Sequence, residues 1–217
     1  MPFTAERIRE AIHHLQQVDP VLGSLIAKAG PFTLKLNRDR FGMLVRSILS
    51  QQISTKAARS IRLRLDELLK PGKVAPDAVA GVTDEQLRSV GLSGQKVRYL
   101  RDLTERTLDG RLRLDRIGRL PDEEAIEHLI QVKGIGRWTA QMFLMFSLGR
   151  LDVFPHDDLG VRSSIRDLYG LSELPDKQRS HAIAEPWAPY RTVASWYCWR
   201  LIDVKNEQKL DASEFPV

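Results

Sequence analysis

The sequence predicts an all-α protein with two helical lobes. Apolar residues recur at intervals of three and four through most of the chain, which is the spacing of one face of a helix. Residues that cap helices stand before many of these segments, and the only run typical of a strand, PFTLKL at 31–36, is short. The 217 residues, 42% hydrophobic and 28% charged, are ordinary for a globular protein of one large or two small domains.

Capping residues and prolines indicate where several helices begin. Thr83 followed three residues later by Gln86 is a capping box, in which each side chain bonds the backbone N–H of the other. Pro20 after Asp19 suits the first turn of a helix, because the N–H that proline lacks would have no helical partner there. Seven helices are predicted to begin at or near Thr4, Asp19, Phe41, Ser54, Thr83, Ser93 and Pro121.

The second half of the chain is predicted to continue in helices. Four further segments keep the helical spacing of apolar residues, at 136–149, 158–169, 176–184 and 188–206. The loops around 71–76 and 110–121 are the predicted hinges between the lobes, since turn-forming proline and glycine residues fall there.

The two lobes are predicted to form a single unit over residues 1–217. Residues 40–115 are expected to make one lobe, which residues 116–160 complete. Residues 1–39 and 161–217 are expected to pack together as the other. No repeat of fixed period and no low-complexity linker interrupts the chain, which favours one functional unit.

The composition excludes several classes of protein. A single cysteine rules out a disulfide framework, a four-cysteine zinc site and a four-cysteine iron–sulfur cluster within this chain. The sequence has no run of 18 apolar residues, and its first ten residues, MPFTAERIRE, are too polar for a signal peptide. These features predict a soluble protein of the cytoplasm, or of the nucleus if the cell is eukaryotic.

Positive charge is concentrated in one part of the chain. Residues 35–73 hold ten Lys and Arg against three Asp and Glu, a net charge of +7, whereas the whole chain carries +5. A basic segment inside a folded domain favours a polyanion as partner, most often nucleic acid. A solvated helix face explains the charge equally well when the charge is considered alone.

The densest chemical signal is the segment LIQVKGIGRWTA at 129–140. Gly134 and Gly136 allow a tight turn and let the backbone approach another molecule with no Cβ in the way. The amides that start the next helix then point outward, where they can hold a phosphate oxygen. Ile135 is predicted to anchor the turn in the core. This is the helix-hairpin-helix pattern, which binds the DNA backbone without reading its sequence.

A second signal lies in the segment DVFPHDDLGVR at 152–162. It contains Asp157 and Asp158, directly before an apolar helical run. Taken alone, an aspartate in this position is most often a helix N-cap, and the pattern does not separate the two.

Together the hairpin and the downstream aspartates resemble the helix-hairpin-helix/Gly-Pro-Asp superfamily of DNA base-excision glycosylases. SILSQQISTKAA (47–58) resembles its intercalating turn, and VGLSGQKVRYLRDL (90–103) resembles its second backbone-binding hairpin. EPWAPYRTVASWYCWR (185–200) is similar to the closing helix of the alkylated-base branch, the 3-methyladenine DNA glycosylase II (AlkA-like) enzymes. The resemblance covers about 165 residues, from 40 to 205. The first forty residues are too few for the β-domain of some relatives, which implies the compact form.

The resemblance implies a role for individual residues. Asp158 is the catalytic carboxylate, because an apolar residue, Val161, follows it three positions later as in the family, and Asp157 is left as a candidate for the cap. Gln52 is the side chain that fills the space of a flipped base. The base pocket is formed by Trp138, Trp199 and Met142, whereas Trp187 and Trp196 are left to the core. The DNA backbone is held by Ser93, Lys96, Gly134, Gly136 and Thr139.

Departures from other branches imply a monofunctional enzyme. Bifunctional relatives place a lysine two positions after the second hairpin glycine, where it attacks the sugar, and this chain has Trp138 there. The expected reaction is hydrolysis of the N-glycosidic bond of an alkylated base such as 3-methyladenine or 7-methylguanine. The cationic base is a good leaving group, so one carboxylate that stabilises the oxocarbenium sugar suffices.

The resemblance also implies what the protein binds. The partner is double-stranded DNA with a damaged base, flipped out for base excision repair, with no membrane and with the protein acting as a monomer. No cofactor is required, although in related hairpins three backbone carbonyls hold Na⁺ or K⁺, and they match Ile130, Val132 and Ile135. His128 and His156 are expected to be surface or capping residues. Two alternatives stay open: a damage-binding protein without catalysis, and a glycosylase for uracil or oxidised bases.

Overall fold

The computed structural model describes residues 3–206, and all regular structure within that range is helical. The strand-like run at 31–36 is irregular, because no second extended segment in the described residues is available to pair with it. Twelve α-helices are described: α1 Ala5–Val18, α2 Pro20–Ala29, α3 Arg40–Ser50, α4 Thr55–Leu68, α5 Pro76–Ala80, α6 Asp84–Ser89, α7 Gly94–Leu108, α8 Asp122–Ile130, α9 Arg137–Phe143, α10 Leu159–Leu168, α11 Lys177–Ala184 and α12 Arg191–Asn206.

The capping residues predicted from the sequence are confirmed at five helices. Thr83 and Gln86 form the reciprocal capping box at the start of α6. The side chains of four more residues accept a backbone N–H three positions ahead and so begin α1, α2, α4 and α7: Thr4, Asp19, Ser54 and Ser93. The short helix α5 was not predicted, because its five residues are too few to show a helical period.

The chain divides into two compact units. The middle unit spans residues 37–143, and the described part of the terminal unit comprises residues 3–36 and 144–206. Residues 1–2 and 207–217, which belong to the predicted second lobe, lie outside the described residues.

The middle unit contains α3 to α9. Helix α3 packs against α4, α7 and α9, and α7 also packs against α5 and α6. Its core consists of apolar side chains from these helices, among them Leu44, Ile48, Leu65, Leu87, Leu100, Leu103 and Leu129. Helices α8 and α9 contact each other on the two sides of the hairpin at 131–136.

The terminal unit contains α1, α2 and α10 to α12. Its second stretch of chain starts with a π-helical segment, Leu144–Leu148. Helix α12 packs against α10, α2 and α1. Trp187 and Trp196 are buried, which confirms that they belong to the core. No helix in the described residues is long and apolar enough to span a membrane.

Candidate active site

Asp158 is the N-cap of α10 in the terminal unit. Its Oδ1 accepts the backbone N–H of Val161 at 2.8 Å and the indole N–H of Trp199 at 2.9 Å. Asp157, the other candidate for the cap, does not cap this helix. Asp157 is exposed, and its carboxylate lies 3.3 Å from Nε2 of His156 instead. The carboxylate of Asp158 is therefore held at the positive end of a helix dipole, where an anion is stabilised.

Gly160 allows the first turn of α10 to approach α12 closely. A Cβ at this position would lie 3.1 Å from Oδ1 of Asp158, from Cδ1 of Trp199 and from Cδ1 of Ile202. Such contacts are tighter than most side chains show, so a larger residue would require these neighbours to shift by a few tenths of an ångström. The glycine therefore lies directly beside the hydrogen bond between Asp158 and Trp199.

The two tryptophans of the predicted base pocket are half-buried and belong to different units. Trp199, in the terminal unit, has its ring centroid 5.7 Å from that of Phe146, and the two planes are tilted by 31°. Trp138 lies in the first turn of α9 in the middle unit, and Met142, one turn later, is buried. Their predicted role in binding the base stays a prediction.

The two hairpin glycines in the middle unit have different local surroundings. Gly134 has a positive φ of 82°, and a Cβ there would lie 2.1 Å from Cδ2 of the Tyr99 ring. A Cβ on Gly136 would meet no atom of the protein within 4 Å. Ile135 between them is buried, as predicted. The protein's own packing therefore requires a glycine at position 134 but not at position 136.

Gln52 lies in the turn between α3 and α4. It is the residue predicted to fill the space of a flipped base, and it is called the wedge below. It is exposed, and its φ of 57° is the one positive φ of a non-glycine residue found in the described chain. The preceding side chain, Gln51, donates through Nε2 to the carbonyl of Gly134 at 2.7 Å. The wedge turn and the hairpin are thus joined by a direct hydrogen bond.

The remaining residues predicted to bind the DNA backbone lie at the start of α7 and in α9. Ser93 is exposed and caps α7 by accepting the N–H of Lys96 at 3.3 Å. The ammonium of Lys96 donates to the carbonyl of Leu49 at 2.6 Å, and partial burial lowers the pKa of this lysine. Thr139 is buried, and its backbone N–H lies in the first turn of α9, where a helix offers it no internal partner.

The expectation that His156 is a surface or capping residue is wrong. His156 is 6% exposed, because its ring packs beside that of His181, with centroids 4.9 Å apart, while its Nε2 lies near Asp157. His128 is exposed, as predicted. Within residues 3–206 no three His, Cys, Asp or Glu side chains are grouped so that they could hold a metal ion.

Three residues that shape these sites were missed from the sequence: Gln51, Tyr99 and Gly160. The sequence places two glutamines, Gln51 and Gln52, next to each other, but only the geometry of the turn shows which of them is exposed. Tyr99 and Gly160 act through close contacts with segments distant in the sequence, and a single sequence carries no signal for such contacts.

Comparison with known proteins yields one family and close relatives. The model of the HhH-GPD superfamily of base excision DNA repair proteins matches residues 45–189. The chain is 35% identical over 192 residues to DNA-3-methyladenine glycosylase 1 of Schizosaccharomyces pombe, covering 86% of this chain and 84% of that protein.

Solved structures of similar proteins share the fold. A DNA-3-methyladenine glycosidase from Bacillus halodurans is 37% identical, with a TM-score of 0.83 and 91% of each chain covered. The 3-methyladenine DNA glycosylase Mag1 of S. pombe, solved in complex with abasic DNA, is 34% identical with a TM-score of 0.80. That match covers 95% of this chain and all of the other.

Proposed function

Because the chain belongs to the HhH-GPD superfamily of base excision DNA repair proteins, we propose that it is a monofunctional DNA glycosylase for alkylated bases. It hydrolyses the N-glycosidic bond of bases such as 3-methyladenine and 7-methylguanine in duplex DNA and leaves an abasic site. The relatives named as 3-methyladenine glycosylases support this substrate class. The observation that carries the proposal is the carboxylate of Asp158, oriented by two N–H donors at the start of α10.

The chemical step needs one negative charge in a fixed place. As the bond to a cationic base breaks, positive charge develops on the sugar, and a preoriented carboxylate stabilises it without having to reorganise. Asp158 also orients or deprotonates the attacking water, a contribution typically worth roughly 10²–10⁴-fold in rate. Because the alkylated base already carries positive charge, no second acid is needed to protonate it.

Binding of the damaged base requires its extrusion from the duplex, which costs a few kcal/mol. Gln52, exposed at the tip of its turn, fills the space that the base leaves. Trp199 is proposed to stack on the flipped base, and Trp138 and Met142 are the further residues that the family resemblance assigns to base binding. An electron-rich ring attracts a cationic base by roughly 0.5–2 kcal/mol.

The hairpin holds the DNA backbone through its amides. Gly136, with open space on its Cβ side, allows a phosphate to approach, and Thr139 contributes its backbone N–H. The carbonyls of Ile130, Val132 and Ile135 suit a monovalent cation. Ile130 ends α8, where carbonyls lack helical partners, and the oxygen of Val132 keeps one lone pair while accepting the N–H of Ile135. When bound, such an ion supplies positive charge for a phosphate.

The proposed enzyme acts as a monomer where chromosomal DNA lies, in the bacterial cytoplasm or in a eukaryotic nucleus. Light scattering of the protein alone and with DNA tests whether the protein is a monomer. A damage-binding protein without catalysis is the alternative class, and the oriented Asp158 argues against it.

The decisive experiment measures base release from duplexes that each carry one defined lesion. The wild-type protein is expected to release alkylated purines, and Asp158→Asn is expected to abolish release. Asparagine is an equally good N-cap, so the variant should fold and bind abasic-site DNA. Asp157→Asn is the matched control and should stay active. Release by Asp158→Asn together with loss in Asp157→Asn would place the catalytic carboxylate one residue earlier.

The same reactions test the absence of lyase chemistry. The product strand is expected to stay intact at the abasic site, and borohydride is expected to trap no covalent adduct between protein and DNA. Efficient trapping would show a Schiff-base mechanism and overturn the monofunctional assignment. Preferential release of uracil or an oxidised base would keep the reaction and change the substrate class.

A further inference from the structure

The turn that carries Gln52 is held from two sides within the middle unit. On one side, Nε2 of Gln51 donates to the carbonyl of Gly134 at 2.7 Å. On the other, Nζ of Lys96 donates to the carbonyl of Leu49, in the last turn of α3, at 2.6 Å. Gln52 between them has a left-handed φ of 57°, which a residue with a side chain keeps only where its surroundings enforce it.

The bond from Gln51 determines the orientation of one peptide group of the hairpin. The carbonyl of Gly134 accepts from Gln51, and the N–H of the same peptide group, which belongs to Ile135, donates to the carbonyl of Val132 at 3.0 Å. Both polar ends of this peptide are therefore engaged. The side chain of Gln51 therefore helps to fix the orientation of the peptide between Gly134 and Ile135.

Helix α7 supports both the turn and the hairpin. Lys96, Tyr99 and Asp102 are spaced by three residues and share one side of the helix. Lys96 bonds the end of α3, the Tyr99 ring lies against Gly134, and Asp102 accepts the N–H of Lys133 at 2.9 Å. One face of α7 thus contacts the segments before the wedge and within the hairpin.

We propose that Gln51 and Lys96 are positioning residues that join the Gln52 turn and the 131–136 hairpin into one preorganised element for gripping DNA. The inference rests on the proposed function, because it gives the element the task of base extrusion. When the hairpin amides bind a phosphate, the wedge already stands at a fixed distance along the DNA strand. Gln51 and Lys96 touch neither the base nor the sugar and act through Gln52.

The first test separates extrusion of the base from binding and chemistry. Gln51→Met keeps the length of the side chain and removes its N–H donor; Gln178→Met, at an exposed position of α11, controls for the substitution itself. One hydrogen bond is worth a factor of about three to ten. Gln51→Met is expected to slow release of a paired alkylated base by this factor, and to have less effect when the same base is mispaired.

A double-mutant cycle tests whether Gln51 acts through Gln52. If it does, Gln51→Met combined with Gln52→Ala is expected to lose no more activity on paired lesions than Gln52→Ala alone. Additive losses, or equal losses of Gln51→Met on paired and mispaired substrates, would overturn the proposal. A 2-aminopurine placed next to the lesion reports extrusion without chemistry. If the wild-type protein raised the fluorescence of the 2-aminopurine but released no base, the result would contradict the proposed function and leave the positioning role intact.

The salt dependence of DNA affinity distinguishes a positioning role of Lys96 from direct binding of a phosphate. Loss of a phosphate contact lowers the slope of log affinity against log salt by about 0.9, whereas loss of an internal anchor does not. Lys96→Met is expected to keep the wild-type slope and to slow release from paired lesions more than from mispaired ones. A slope lower by about one, with equal effects on both substrates, would make Lys96 a phosphate ligand instead.

Discussion

Trp199 donates its indole N–H to Oδ1 of Asp158 at 2.9 Å, and the same oxygen accepts the backbone N–H of Val161. One side chain thus combines an aromatic face, proposed to stack on the damaged base, with a donor that orients the carboxylate. Gly160 lies close beside both residues of this contact. The two functions of Trp199 can be separated, because phenylalanine retains the ring and lacks the donor.

Trp199→Phe is expected to reduce the single-turnover rate of base release by about ten- to a hundredfold. A hydrogen bond to a charged group is worth about 1.5–3 kcal/mol, and the carboxylate would lose one of its two described donors. The substrate concentration at half-maximal rate should change little, because stacking is kept. Trp199→Leu, which loses both features, should raise that concentration as well. A Trp199→Phe enzyme of wild-type rate would show that the bond does not orient the catalytic oxygen.

The two hairpin glycines are expected to separate stability from DNA binding. Gly134→Ala should lower the free energy of unfolding by about 2 kcal/mol or more, because its φ of 82° disfavours a Cβ that would also overlap the Tyr99 ring. Gly136→Asp should keep or slightly raise the melting temperature. Its carbonyl accepts the N–H of Ala140, which makes it the capping position of α9, and aspartate caps helices better than glycine.

DNA binding by Gly136→Asp provides the contrast with its unchanged stability. Gly136→Asp places a negative charge where the backbone meets a phosphate, so fluorescence anisotropy should show weaker binding to every DNA sequence alike. Gly136→Ala is the neutral control and should weaken binding less. Wild-type affinity in Gly136→Asp would mean that the start of α9 does not contact DNA.

Much of the fold could be predicted because its signals are local. The caps at Thr4, Ser54 and Ser93 and the glycines of the hairpin depend on a few neighbouring residues. The contacts of Lys96 and His156 could not be predicted in the same way. A lysine in a basic segment is expected to meet phosphate, yet this one bonds the end of α3, 47 residues earlier. Only tertiary packing determines which partners such long or isolated polar side chains contact.

The proposed cation site predicts a dependence on the kind of salt. Replacing KCl by tetramethylammonium chloride at the same ionic strength keeps general screening and removes ions small enough for the carbonyls of Ile130, Val132 and Ile135. DNA affinity is expected to fall several-fold, whereas the melting temperature of the free protein should change little. Equal affinity in the two salts would mean that the hairpin binds phosphate without an ion.

His181 is expected to make the stability of the terminal unit depend on pH. Burial, then the positive charges of Lys177 and Arg191, lower the pKa of His181, against an opposing effect of Asp157. Its ring contacts the rings of Phe154 and His156. The folded state therefore binds fewer protons than the unfolded chain between this lowered pKa and the ordinary histidine value of about 6.5.

The sign of the effect follows from that difference in bound protons. The contribution of a neutral His181 is fully present above about pH 6.5 and is lost as the pH falls through that value toward the lowered pKa. His181→Phe keeps an aromatic ring and removes the titration, so its melting temperature should fall less than that of the wild type between pH 7 and pH 5. His128→Gln, at an exposed histidine of α8, is the matched control and should follow the wild-type curve. Parallel curves for His181→Phe and the wild type would show that this half-buried histidine does not contribute to the acid sensitivity of the protein.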